Sequence, residues 1–320
     1  MLVSIIFVYL AARRADLSET LRVLGTAQPA LLAAGTLVYL SGLPARTQRW
    51  RLILRAQREL PWRRVLVPLT VGHMANNILP ARTGELYRAH FLGRRVRMSR
   101  SGVVGSIVVE RAFDGLMLVV VILLVFALFP GEGLVGTAAL LTGTFFVALA
   151  LGLLLYGRTS ERAHRGLERG LRLLPQKLRE FAWRRLEIFL LGIRVFMKTG
   201  RFLEVGLYTA LIWAIEAGAI AFVVLAFGLD IPPGAYLLVF ALASLSTTLP
   251  SGPAYVGPYQ YAFVLALGTF AVSSEAALAV SVAAQAALLG SVTVIGLALL
   301  WREHLIPGLS GGPKPERESE

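Results

Sequence analysis

Cysteine is absent from all 320 residues, which excludes a disulfide framework and any thiolate metal site. Histidine is scarce, and its four copies are scattered without the spacing of metal ligands, so no metal site is expected. Charge is scarce as well: 16% of residues are charged against 56% hydrophobic, and the mean hydropathy of +0.67 excludes an ordinary soluble domain. Walker, HExxH and DxD patterns are missing, so the sequence predicts neither a cofactor nor an enzyme. Residues 1 to 12 lack the basic start and small-residue cleavage site of a signal peptide, which predicts a short first helix instead.

What the chain does have is a series of long apolar runs separated by arginine-rich loops. This predicts an all-α integral membrane protein, a polytopic helical bundle in the cell membrane. The formal charge of +13 lies between apolar segments and not on a basic domain, which points to membrane topology and anionic lipid, with no nucleic acid as partner. Lys and Arg accumulate in short cytoplasmic loops. On that rule the seven Arg of Arg46 to Arg64 and the twelve Lys and Arg of Arg158 to Arg201 are cytoplasmic, as are both termini. A helix at about Ala30 to Leu43 then leads into the first loop. Spans are expected at about Val103 to Phe129, Val135 to Tyr156, Leu203 to Phe227 and Ala276 to Leu300. The leucines of 157–201 recur at near-helical spacing among arginines, which predicts amphipathic helices on the cytoplasmic surface. The domain is expected to fill 1–303, and the tail, 304–320, to be disordered.

Two apolar segments are too short to cross. Val65 to Leu79 and Ala235 to Leu249 hold 15 residues each, where a spanning helix needs roughly 20. Each breaks at Leu-Pro, and each returns through glycine. The sequence therefore predicts two re-entrant hairpins in inverted repeats, with a binding site where their tips meet.

Polar residues inside a membrane are costly, so those near the breaks are candidates for substrate binding. After the first break come Arg82, Glu85 and Arg88, with Asn76 before it. An Arg here suits phosphate, which its planar guanidinium grips through two parallel bonds. The step Glu110, Arg111 and Asp114 lies in a long span, and Arg111 and Asp114 at i, i+3 are placed to pair. The second break supplies Ser251, Gly252, Tyr255, Gly257 and Gln260. Glu216 stands in a span without a local partner and is a candidate coupling residue. His73, Asn76 and Asn77 are expected to bond the interrupted backbone. No residue is assigned a catalytic role.

The run Gly72, Asn76, Leu79-Pro80, Arg82, Gly84-Glu85, Arg88, with Glu110-Arg111, Asp114 and the Arg49-Trp50-Arg51 step, resembles the lysylphosphatidylglycerol synthase transmembrane-region family. That family is the flippase-like domain of multiple-peptide-resistance factors. The similarity covers about residues 1 to 303. It implies translocation or binding of a phosphate-containing membrane lipid, such as an aminoacylated phospholipid or a polyprenyl-phosphate-linked lipid. The soluble aminoacyl-transferase domain has no counterpart here, so the resemblance implies transport without lipid synthesis. Where the family shows an acidic residue after its second glycine-rich turn, this chain has Gln260. A membrane glycosyltransferase using polyprenyl-phosphate sugars and an ion-coupled transporter of a small anion are the alternatives. Assembly as a homo-oligomer is compatible with all three.

Overall fold

A computed structural model describes residues 2–12, 15–79, 83–128, 200–249 and 251–305, and every regular element among them is helical. The short first helix expected at the N-terminus is α1, Leu2–Ala12. Asp16 then caps α2, Leu17–Leu24, its carboxylate accepting the backbone N–H of Ser18 at 2.7 Å. Next, α3, Pro29–Leu54, turns away at 83° and starts on a proline at its first position.

The first hairpin follows as α4, Trp62–Ile78, and α5, Gly84–Val96. Gly84 lies against Asn76 and Gly72, and Gly72 lies against Arg88, so the two arms run antiparallel in close contact. After it, α6, Arg100–Leu128, is long and apolar enough to cross a membrane, as is α7, Phe202–Leu225. The second hairpin is α8, Pro233–Ser246, a single turn at Pro253–Tyr255, and α9, Pro258–Gly268. A last crossing, Ser274–Arg302, is made of α10, Ser274–Ala284, a widened turn at Gln285–Leu289, and α11, Gly290–Leu305. At 1.5 Å per residue the hairpin arms of 17, 13, 14 and 11 residues reach at most about 26 Å, short of the roughly 30 Å of hydrocarbon.

The packing repeats itself. The most extensive helix contact joins α3 to α7, the helices that precede the two hairpins. Against the first arm of each hairpin lies the crossing helix of the other half: α11 on α4, and α6 on α8. This reciprocal exchange is the arrangement of inverted repeats, and the single turn at Pro253–Tyr255 in the second hairpin packs against α4 of the first. Apolar side chains of α6 to α10 form the larger core, and Trp50, Leu54, Leu69, Leu92 and Val103 anchor a second one under the first hairpin.

One boundary differs from expectation in a way that matters. The helix expected to end at Leu43 continues through Pro44 to Leu54, so Arg46 and Arg49 are not loop residues on the cytoplasmic face. They are buried, because carboxylates on neighbouring helices neutralise them there. The expected span at Val135 to Tyr156, the amphipathic segment 157–201 short of its last residues, and the tail beyond 305 lie outside the described residues, as does Arg82.

Candidate functional site

Both hairpins contribute to one cavity of about 410 Å³, lined by α3 to α8, by Thr247 and Thr248, by Tyr255 and Tyr259 of the second hairpin, and by Leu288, Leu289 and Val292. Its volume falls in the range of roughly 300 to 1,000 Å³ usual for ligand sites.

A charged lattice forms its first-half wall. Glu110, fully buried at the middle of the network, accepts from Arg49 Nη2 at 3.0 Å, Arg88 Nη2 at 2.7 Å and Arg111 Nη2 at 3.2 Å. Asp114, one helical turn on, binds Arg49 Nη1 at 2.5 Å and Arg111 Nη2 at 3.2 Å. The pairing expected of Arg111 and Asp114 is therefore present, within a larger network. Buried ions of this kind persist only where each charge is countered and hydrogen-bonded. Trp50 completes the shell: its Nε1 donates to Ser106 Oγ at 2.9 Å, and its ring lies 3.5 Å under the Arg88 guanidinium.

The accessible atoms are different ones. Arg46, Arg49 and Arg88 have at most 5% of their side chains exposed, while Arg111 is 36% exposed. Its Nε has no hydrogen bond and faces Glu85 Oε1 at 3.7 Å, too far for one. Arg49 Nε and Arg88 Nε lack partners too, but on side chains that are all but buried, so Arg111 is the lining guanidinium among the described residues that a ligand can reach. Beside it, His73 Nε2 and Asn76 Oδ1 are shielded and have no hydrogen-bond partner. Among the described residues neither atom bonds the interrupted backbone. Asn77 instead donates to the carbonyl of Leu289 at 3.0 Å, in the widened turn of the last crossing, and to Thr293 Oγ1 at 2.9 Å.

Of the residues singled out from sequence, Asn76, Glu85, Arg88, Glu110, Arg111, Asp114, Glu216 and Tyr255 line the cavity. Four do not. Ser251 is buried, and Gly252, Gly257 and Gln260 hold the second tip: Gly252 N–H donates to Ser4 Oγ at 2.7 Å, and Gly257 N–H to Gln260 Oε1 at 2.8 Å. Gln260 Nε2 in turn donates to Gln285 Oε1 at 2.8 Å, and Gln285 Nε2 to the Ala254 carbonyl at 2.5 Å. Glu216 has no local partner, as expected, but it has a distant one. This is Arg46, 170 residues away in the chain, and theirs is the ion pair among the described residues that joins the two halves. Sequence reasoning missed Arg46 and Arg49 as site residues. The available signal was their i, i+3 spacing with Trp50 between apolar residues, which continues a helix. Among the described residues no three His or carboxylate groups gather as metal ligands, and each cavity carboxylate faces a guanidinium.

These features define a polytopic helical membrane protein with two broken hairpins closing on a charged internal cavity. The chain belongs to the family of the lysylphosphatidylglycerol synthase transmembrane region, whose model matches residues 1–296. A curated relative, glycosyltransferase AglD of Haloferax volcanii, is 30% identical over 88% of this chain and 50% of its own length. A UPF0104 membrane protein of Methanothermobacter thermautotrophicus is 25% identical over 79% of this chain and 80% of its own. The chain thus spans half the length of the first of these relatives and four fifths of the second. The expectation that the chain is no enzyme is overturned by the first match, since a relative at that identity is named as a transferase.

Proposed function

We propose that the cavity receives the phosphate of a membrane lipid headgroup while the lipid's chains stay among the helices, and that the lipid is carried from one leaflet to the other. Arg111 carries this reading: a part-exposed guanidinium, loosely held by Glu85, sits in a cavity bounded by broken helices. A phosphate offers the bidentate acceptor geometry that Glu85 does not supply at 3.7 Å. The name of the family, which includes a phosphate-containing lipid, supports the same chemistry. We further place the protein in the cell membrane with both termini cytoplasmic, on the positive-inside bias of its loops.

A second reading is favoured by one observation, the transferase name of the relative that matches most of this chain. In it the same lipid is held for transfer of the sugar it bears.

One experiment serves both. Proteoliposomes are assayed for translocation of a fluorescent anionic lipid and for release of labelled sugar from a polyprenyl-phosphate sugar, with melting temperature followed in parallel. Arg111→Ala is expected to reduce the operative activity by about a hundredfold, the loss of a charge-assisted pair of bonds, and Arg111→Lys to restore part of it. Full activity in a stable Arg111→Ala protein would end the phosphate reading.

A further inference from the structure

The two walls of the cavity are unlike. Facing the ion lattice, the second-half wall presents Trp213, Phe240, Tyr255 and Tyr259, with Tyr39 of α3 alongside. Trp213 and Phe240 are locked edge to face, their ring centroids 5.3 Å apart. Two of the polar groups on this wall are left to accept. Thr248 is exposed, and its Oγ1 already donates to the Leu245 carbonyl at 2.6 Å, which leaves its lone pairs to accept. Glu216, 27% exposed, is an acceptor throughout, and its charge is countered by Arg46.

Aromatic faces bordered by acceptors fit two kinds of group. One is an ammonium, drawn to ring faces and carboxylates. At this wall it would meet a cation already in place: the Arg46 guanidinium carbon stands 4.8 Å from the centroid of the Tyr39 ring, and the same side chain neutralises Glu216. Among the described residues no free negative charge on this wall is left to hold a second cation. The other kind is a neutral ring or chain of hydroxyls, whose C–H faces pack on aromatic rings while its O–H groups donate at the edge. This second kind meets the wall without any change of charge.

We infer that the second-half wall is a subsite for a neutral polyhydroxyl group attached through the phosphate, so that the lipid taken is a polyol phosphate lipid and not an amine-bearing one. The inference rests on the headgroup reading given above. It departs from the aminoacylated lipid that the family resemblance implies. Thr248, Tyr255 and Tyr259 become specificity-determining residues, and Arg111 holds the phosphate common to all candidate lipids.

Native mass spectrometry of the full chain in detergent, with defined lipids in competition, separates the parts. The probes are polyprenyl phosphate and phosphatidic acid as bare phosphates, polyprenyl-phosphate hexose and phosphatidylinositol as polyols, and phosphatidylethanolamine and lysylphosphatidylglycerol as amines. Polyol lipids are expected to bind about tenfold more tightly than bare phosphates or amines, the worth of one or two hydrogen bonds. Thr248→Val, which keeps the side-chain shape, is expected to erase that gain and leave bare-phosphate binding unchanged; Tyr259→Phe gives an independent check. The stronger of the two polyol arms identifies the source as sugar or inositol. Amine lipids binding as tightly as polyols, or Thr248→Val weakening every lipid alike, would overturn the inference and leave the headgroup reading standing. A wild-type chain that binds neither bare phosphate nor any polyol lipid would overturn both.

Discussion

The two hairpins have the same outline and opposite chemistry. In the first, the arms are pressed together: a Cβ at Gly72 would stand 2.7 Å from that of Arg88, and one at Gly84 2.4 Å from the backbone nitrogen of Asn76. That closeness sets Arg88 beside Glu110 and opens the charged wall. In the second, charge is absent and the tip itself is the worked element. Ala254 and Tyr255 both take left-handed backbone angles, φ 51° and 63°, at a cost of roughly 1 to 2 kcal/mol each for residues with a Cβ. Ser4, Gln260 and Gln285 hold that strained turn by hydrogen bonds, and Tyr255 faces the cavity as a result. One half supplies the ions and the other the shape.

If the first half is an ion lattice centred on Glu110, removing that carboxylate produces the largest effect. Glu110→Ala leaves Arg88 and Arg49 buried, with Arg88 losing its one acidic hydrogen-bond partner among the described residues. The expected loss is about 3 to 5 kcal/mol, as for other broken buried pairs. Thermal unfolding in detergent measures it. A variant as stable as the parent would show that the lattice does not hold the first half together.

Close packing of the arms comes next. Gly84→Ala sets its new methyl 2.4 Å from the Asn76 backbone nitrogen and 2.5 Å from the Gly72 carbonyl, and neither atom can move without shifting a helix. The cost is about 1 to 3 kcal/mol, typical of overpacking. Gly268→Ala, where a Cβ meets nothing within 4 Å, is the control in the second hairpin. Equal melting temperatures for the two would remove the contrast in arm packing.

Much of this was legible in the residues, and the rest was hidden for a physical reason. Both breaks, Leu79-Pro80 and Leu249-Pro250, announce themselves through proline and through the length of the apolar run, which are local properties. The charged step Glu110, Arg111 and Asp114 is local too, being one turn of a helix. Arg46 and Arg49 could not be assigned in the same way. The positive-inside rule treats every Arg alike, and what distinguishes these two is a carboxylate 170, 61 or 65 residues away. Gln260 was misplaced for a related reason: its type suggests a binding group, but its direction is set by Gln285, which no spacing links to it.

That residue sharpens the comparison most finely, though its expected effect is the smallest. Gln260→Glu would place an acid where the family resemblance implies one. A carboxylate keeps the bond from Gly257 N–H, since only an acceptor is needed there. On its other side the Gln260 amide donates to Gln285 Oε1, and a carboxylate has nothing to donate. Gln285 would have to turn its own amide to face the new acid, and would then present its oxygen to the Ala254 carbonyl, to which its nitrogen now donates. Either way one hydrogen bond is lost in the clamp on the strained turn, about 0.5 to 1.5 kcal/mol. The expected result is a melting temperature lower by a few degrees. Because the side chain does not line the cavity, binding of a bare phosphate lipid should stay unchanged. If binding rises or falls with stability intact, the second hairpin is not a neutral clamp, and the acid that the resemblance implies has a counterpart role at this position after all.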